Sequence, residues 1–157
     1  MNVFNIERAF RHQKERGWEK TFWCIDVHDT ICKSTYERGH IDRSFYPDAR
    51  AVLQWLNATE DICVILFTCS HRDDIQSILN WLEEHEIHFD YVNENPEQPS
   101  NELSNFEQKM YFNVLLEDKA GFEGETDWTL IKNELIKLGV WNDRHDRLME
   151  QIEQMDD

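Results

Sequence analysis

The sequence has no long apolar run and few positive charges. No segment approaches the roughly 20 consecutive apolar residues of a membrane-spanning helix, and the N-terminal segment MNVFNIERAFRHQKERG has no signal-peptide core. Sixteen Lys and Arg residues face thirty-two Asp and Glu residues, which gives a formal net charge of -16. Because this charge repels phosphate backbones, we expect neither a membrane partner nor binding to a nucleic-acid backbone. A phosphorylated ligand would need a local positive device, such as a metal ion, a lysine or a helix N-terminus.

The four cysteines form no CxxC pair. Cys24, Cys32, Cys63 and Cys69 lie in or just after strand-like segments. With no secretory signal to imply an oxidising compartment, they are expected to be buried free thiols of a cytoplasmic protein.

Strand-like and helix-like segments alternate along the chain. The strand-like segments are TFWCIDV (21–27), ICVILFT (62–68), HFDYV (88–92) and YFNVLL (111–116). The first two are nearly continuous in apolar character, which is typical of strands buried on both faces. Helical spacing of apolar residues predicts a helix over 6–16, one that Pro47 opens, one after the second strand that carries Ile75, Ile78, Leu79 and Leu82, and one over 127–138, with Thr126 as N-cap and Gly139 as its stop.

This alternation predicts an α/β fold. We expect a three-layer α/β/α sandwich with a mainly parallel, Rossmann-like sheet and helices on both faces. The length of 157 residues fits a single domain (1–157), divided into a leading helix (1–18), a core (19–139) and a C-terminal helix or tail (140–157). In open parallel sheets the functional site lies outside the carboxyl ends of the strands.

Polar residues stand at three of the predicted strand ends. Asp26 ends the first strand, Thr68 the second, and Glu117 and Asp118 the fourth, with Lys109 just before that fourth strand. Each alone is more often structural than functional. Together, neighbouring carboxylates can hold a hard divalent cation, while a hydroxyl and an ammonium group can hold phosphate oxygens. The set favours phosphoryl transfer.

Three segments of the sequence resemble motifs of a known family. CIDVHDTI, VILFTCS and QKMYFNVLLEDKAGF resemble the four motifs of the haloacid dehalogenase superfamily of phosphohydrolases, over about residues 20–137. The resemblance implies a Mg²⁺ ion as cofactor. Its ligands would be Asp26, Asp118, the backbone carbonyl of His28, and Glu117 directly or through water.

The resemblance also implies catalytic roles. Asp26 would be the nucleophile that forms an aspartyl-phosphate, Thr68 would bind the phosphoryl group, and Lys109 would neutralise both. Ser70 and Arg72 follow the second strand and are further candidates for binding substrate, although an Arg in the first turn of a helix is more often a solvated surface residue.

The first motif departs from the family pattern at two positions. His28 stands where the family has its general acid/base Asp, and Asp29 stands where it has Gly. An imidazole, with an ordinary pKa near 6.5, can still donate and accept a proton. Asp29 would either offset the charge of a protonated His28 or replace Gly in the turn, because Asp tolerates unusual backbone angles. Both activity with His28 as acid/base and loss of activity with retention of the fold therefore stay open.

Many members of the family have a cap domain inserted after the first motif or before the Lys. Here the corresponding segments, residues 31–47 and 93–108, are too short to hold one, so the resemblance implies an uncapped site. Uncapped members of the family tend to act on large substrates, or a neighbouring subunit closes their site. We therefore expect a phosphorylated small molecule or a phosphoprotein as substrate, and pairing of subunits into a homo-oligomer is a further expectation. Two alternatives to a phosphohydrolase are considered. One is a non-catalytic binding or regulatory module, and the other is a response-regulator-like receiver, whose acidic pair and acceptor Asp would occur in the reverse order.

Overall fold

The computed structural model describes residues 3–141 together with residues 154 and 155. Its sheet contains four strands, all parallel: β1 (Thr21–Ile25), β2 (Ile62–Leu66), β3 (Tyr91–Val92) and β4 (Val114–Leu116). Their order across the sheet is β3-β2-β1-β4, so β1 is flanked on both sides. The predicted α/β class with a parallel, Rossmann-like sheet is confirmed.

The described α-helices are α1 (Ile6–Arg16), α2 (Ala49–Ala58), α3 (Arg72–Glu84) and α4 (Gly124–Lys137), and short 3-10 helices cover Val3–Asn5 and Asp118–Ala120. Pro47 precedes α2 by two residues instead of occupying its first turn. The prediction that α4 is capped by Thr126 is wrong, because α4 begins at Gly124. The Asp127 carboxylate accepts the backbone N–H of Glu123 at 2.7 Å and so fixes the earlier start.

The sheet has two buried faces of different construction. Alternate strand residues, such as Trp23 and Val64, join a large core to which all four described helices contribute. The other face has a smaller cluster centred on Phe22 and Ile65, packed against Met110–Phe112. In the described part of the chain no helix contributes to that smaller cluster.

Chain direction explains this difference from the expected helices on both faces. The crossovers from β1 to β2 and from β2 to β3 advance in the same direction, so right-handed connections place α2 and α3 on one face. The connection from β3 to β4 returns past β1, and its segment 110–112 covers the opposite face as a loop. Within the described part of the chain, the layer on this face is therefore a loop, whereas a three-layer α/β/α sandwich has helices there.

The prediction that the cysteines are buried free thiols is confirmed for three of the four. Cys24, Cys32 and Cys63 are buried free thiols as predicted, but Cys69 is exposed because it lies beyond the end of β2, at the open edge of the sheet. Among the described residues, no helix has both the length and the apolar character needed to cross a membrane. The predicted tail helix within 140–157 falls mainly outside the described residues.

Candidate active site at the carboxyl edge of the sheet

The carboxyl ends of β1, β2 and β4 open into one cavity of about 410 Å³. Asp26 follows the central strand, and its backbone N–H donates to the carbonyl of Leu116 at 3.0 Å, next to Glu117 and Asp118. Thr68 approaches from β2 on the other side. All four of these polar residues line the cavity, so the predicted convergence of the strand ends is observed.

Asp26, Glu117 and Asp118 form a compact carboxylate cluster. Each offers an oxygen atom, and these atoms lie within 4.8 Å of one another. Burial, reinforced by a hydrogen bond with Asp118 and the charges of both neighbours, raises the pKa of Asp26 to about 7. Burial and Asp118 likewise raise the pKa of Glu117. Burial alone would raise the pKa of Asp118, but hydrogen bonds with Glu117 and Asp26 hold it below its ordinary value.

The donor set of this cluster fits a hard divalent cation. Three carboxylates held this close repel one another, and burial together with the charges of Glu117 and Asp118 raises the pKa of Asp26. A cation would offset the repulsion, and oxygen donors are those preferred by Mg²⁺ and Ca²⁺. Carboxylates alone do not distinguish between these metals. The expected backbone ligand, the carbonyl of His28, belongs to a residue that lines the same cavity.

Thr68 is held in place by a side chain that the sequence did not reveal. The backbone N–H of Thr68 donates to Asn93 Oδ1 at 2.8 Å, and Asn93 Nδ2 donates to the backbone carbonyl of Thr68 at 2.7 Å. Its hydroxyl donates to Ser70 Oγ at 3.1 Å, and the Ser70 N–H donates back to that hydroxyl at 3.2 Å. This network fixes the Thr68 hydroxyl beside the carboxylates, whereas Ser70 itself lines the adjoining cavity.

His28 and Asp29 form the turn after β1. Asp29 adopts a φ of 60°, the left-handed conformation that Gly adopts most easily. Its carboxylate accepts the Ser34 N–H at 3.0 Å and the Tyr36 hydroxyl at 3.5 Å. Asp29 therefore satisfies the backbone requirement of the turn and also anchors the following loop. His28 lines the cavity, and in the described part of the chain its buried Nδ1 atom has no hydrogen-bond partner.

Both basic side chains that the sequence predicts to bind phosphate, Lys109 and Arg72, lie away from this cavity. Lys109 lines a separate cavity with Phe106 and Phe112, because the loop that carries it runs over the opposite face of the sheet. Arg72 is exposed at the start of α3 and does not line the cavity. Lys119 does line it, and its charge acts on both Glu117 and Asp118. The signal for Lys119 in the sequence is its place directly after the acidic pair.

Two aromatic side chains at this cavity are not predicted from the sequence. Phe67 precedes Thr68 and belongs to the predicted buried strand, yet it is 38% exposed. Tyr36 lies in the loop 33–46, where neither a helix nor a strand period gives a signal. Both line the cavity with the carboxylates. Only the geometry of the loop and strand end identifies them.

Comparison with known proteins adds evidence on the fold. No family model and no curated protein sequence matches the chain. Among solved structures, the chain is similar to a conserved protein encoded by a locus of Bacteroides thetaiotaomicron, with a TM-score of 0.58 and 22% sequence identity. The match covers 76% of this chain and 92% of the other. It supports the α/β fold that the strand order already indicates.

Proposed function

We propose that the protein is a Mg²⁺-dependent phosphohydrolase that acts through an aspartyl-phosphate on Asp26. The observation that carries the proposal is the cluster of Asp26, Glu117 and Asp118 at the carboxyl edge of a parallel sheet, beside the positioned hydroxyl of Thr68. The motif resemblance to the haloacid dehalogenase superfamily supports the same reaction.

In the proposed reaction, the Asp26 carboxylate attacks phosphorus, and the bond from phosphorus to the ester oxygen breaks. Thr68 and Lys119 hold the phosphate oxygens, with Lys119 taking the part that the resemblance assigns to Lys109. Asp26, Asp118, Glu117 and the His28 carbonyl would hold Mg²⁺. When bound, the ion would offset the negative charge of the carboxylates and of the phosphoryl group.

His28 supplies the proton transfers in this proposal. Its protonated imidazole donates to the leaving oxygen, and the neutral imidazole then accepts a proton from the water that hydrolyses the aspartyl-phosphate. The cycle balances, with one water consumed and one alcohol and one inorganic phosphate released. An imidazole bulkier than the family carboxylate, placed beside a cation, is expected to make this step slow.

The partner and location follow from charge and thiols. We expect a phosphorylated small molecule or phosphoprotein as substrate, in a cytoplasmic protein with no nucleic-acid or membrane partner. Four free cysteines and the net charge of -16 support this, and pairing of subunits over the uncapped site is part of the proposal.

The test is phosphate release from an aryl phosphate with and without Mg²⁺. Release should require Mg²⁺, disappear in Asp26→Asn and persist in Asp61→Asn. Asp61 is a matched control because it is an exposed Asp that accepts a hydrogen bond from Gln13 at the opposite edge of the sheet. Activity that survives Asp26→Asn, or that ignores chelation, would refute the mechanism.

A non-catalytic module that binds a metal or phosphate is the second candidate. The observations that favour it are the placement of Lys109 outside the cavity and the imidazole at the acid/base position. It predicts no turnover over a panel of phosphate esters, together with a rise in melting temperature on adding Mg²⁺ that Asp118→Asn removes. Turnover abolished by Asp26→Asn would exclude it.

A further inference from the structure

The cavity that holds the carboxylates also exposes two aromatic side chains. Phe67 is 38% exposed although Leu66 and Thr68 on either side are buried. Tyr36 is 90% exposed and adopts a φ of 56°, a conformation that bulky residues rarely adopt. Neither ring belongs to the two clusters that form the described core. A strained and exposed aromatic residue beside a reactive cluster suggests a role in ligand binding.

Tyr36 is tied to the reactive turn. Its hydroxyl lies 3.5 Å from Asp29 Oδ2, and the Ser34 N–H donates to the other oxygen of the same carboxylate. Asp29 is the neighbour of His28, which also lines the cavity. The loop that carries the Tyr36 ring is therefore held beside the proposed proton donor, where a leaving group would depart.

The charges around the cavity limit the leaving group. Among the described residues, the cavity lining holds four carboxylates, from Asp26, Asp29, Glu117 and Asp118, against the ammonium group of Lys119 and the imidazole of His28. Arg38, in the same loop as Tyr36, is engaged by Asp73 at 2.7 Å and Asp74 at 3.0 Å. A second phosphate or a carboxylate on the substrate would meet this negative field with little to offset it.

We propose that the substrates are monophosphate esters whose uncharged leaving group carries a planar aromatic ring, bound against Phe67 and Tyr36. The proposal rests on the proposed phosphohydrolase function. An aromatic ring gains from stacking or edge contacts with aromatic side chains beyond simple apolar burial. The cavity of about 410 Å³ is within the size range of small-molecule sites, and one ring with one phosphate fits that range.

The kinetic test compares benzyl phosphate with cyclohexylmethyl phosphate. These esters have leaving groups of similar size and acidity, and only one has a planar ring. We expect kcat/KM for the benzyl ester to be about three- to tenfold higher. Phe67→Leu should reduce this ratio towards one. Tyr36→Leu should reduce it as well, whereas Tyr36→Phe, which keeps the ring, should preserve it.

Phe106→Leu provides the matched control, since Phe106 lines the separate cavity on the opposite face. The preference for benzyl phosphate should be unchanged in this variant. Equal kcat/KM for the two esters in the wild type, or a ratio that Phe67→Leu and Tyr36→Leu leave intact, would overturn the proposal.

A binding experiment separates failure of this inference from failure of the proposed function. Benzylphosphonate and cyclohexylmethylphosphonate cannot be hydrolysed, and their affinities in Mg²⁺ can be measured by calorimetry whether or not the protein turns over. A benzyl preference that Phe67→Leu removes, without turnover of any ester, would refute the phosphohydrolase and keep the ligand class. Absence of binding, or equal affinities, would overturn the ligand class. An N-acetylated phosphotyrosine amide and nucleoside 5′-monophosphates, both with uncharged leaving groups and compared as substrates or competitors, then identify the source of the ring.

Discussion

The cluster of Asp26, Glu117 and Asp118 should make the metal-free protein less stable at pH 8 than at pH 5. The pKa of Asp26 is about 7 in the folded protein against an ordinary value of 3.8. Between these values the folded state retains a proton that the unfolded state has lost, so the free energy of unfolding falls as pH rises through this window. The difference corresponds to at most ~4 kcal/mol. Because the site is open to water, screening reduces the expected loss to ~1–2 kcal/mol.

The assay is urea denaturation at pH 5 and pH 8 in the presence of a chelator, followed by the fluorescence of the six tryptophans. Asp26→Asn supplies the comparison, because it removes this titration and leaves other titrating groups in place. At pH 8 the variant should be ~1–2 kcal/mol more stable than the wild type. At pH 5 this advantage should fall to ~0.4–0.8 kcal/mol, because pH 5 already lies about one unit above the ordinary pKa of 3.8. Added Mg²⁺ should raise the free energy of unfolding of the wild type at pH 8, because a cation favours ionised ligands. If the wild type and the variant show the same dependence on pH, burial and the neighbouring carboxylates do not raise the pKa of Asp26.

Three further predictions concern single residues. Lys119→Met should lower kcat/KM about 10- to 100-fold in the phosphate-release assay, because a cation that stabilises the transferring phosphoryl group is lost, whereas Lys109→Met should change it less than about threefold; the reverse ranking would return the role to Lys109. Asn93→Ala removes both hydrogen bonds to the backbone at the end of β2 and should cost ~1–3 kcal/mol in urea denaturation, and a neutral result would contradict that role. Gly124→Ala should cost ~1–3 kcal/mol, because a Cβ atom there would overlap the ring of Tyr46, and a thermal melt indistinguishable from that of the wild type would contradict this packing.

The fold was largely predictable because β1 and β2 are buried on both faces. Segments such as FWCI and CVIL are continuous in apolar character, whereas polar residues interrupt the apolar ones in each of the described α-helices. Helix stops were equally readable, since Gly17 and Gly139 both adopt left-handed φ. The sequence did not predict that a loop covers the Phe22 and Ile65 face of the sheet. That arrangement depends on the path of the segment from β3 to β4, which has neither a strand nor a helix period along most of its length.

Some residues of the site were also predictable from the sequence, and others were not. Asp26, Thr68, Glu117 and Asp118 could be placed together from sequence because each follows a parallel strand, and parallel strands end at one edge. Asn93 could not, because its amide matches the Thr68 backbone only once β3 lies beside β2. Its position one residue after β3 was the sole available signal.

Strand geometry distinguishes Lys109 from Lys119 as the cation of the site. Leu116 pairs with Ile25 at the carboxyl edge, and Lys109 precedes Leu116 by seven residues. At about 3.3 Å per residue an extended segment of that length spans ~23 Å, far beyond the reach of a lysine side chain, so Lys109 could approach Asp26 only if the chain folded back. Lys119 follows Asp118 directly and needs no such excursion. Motif order favours Lys109, whereas distance along the strand favours Lys119, and the two substitutions to Met decide between these explanations.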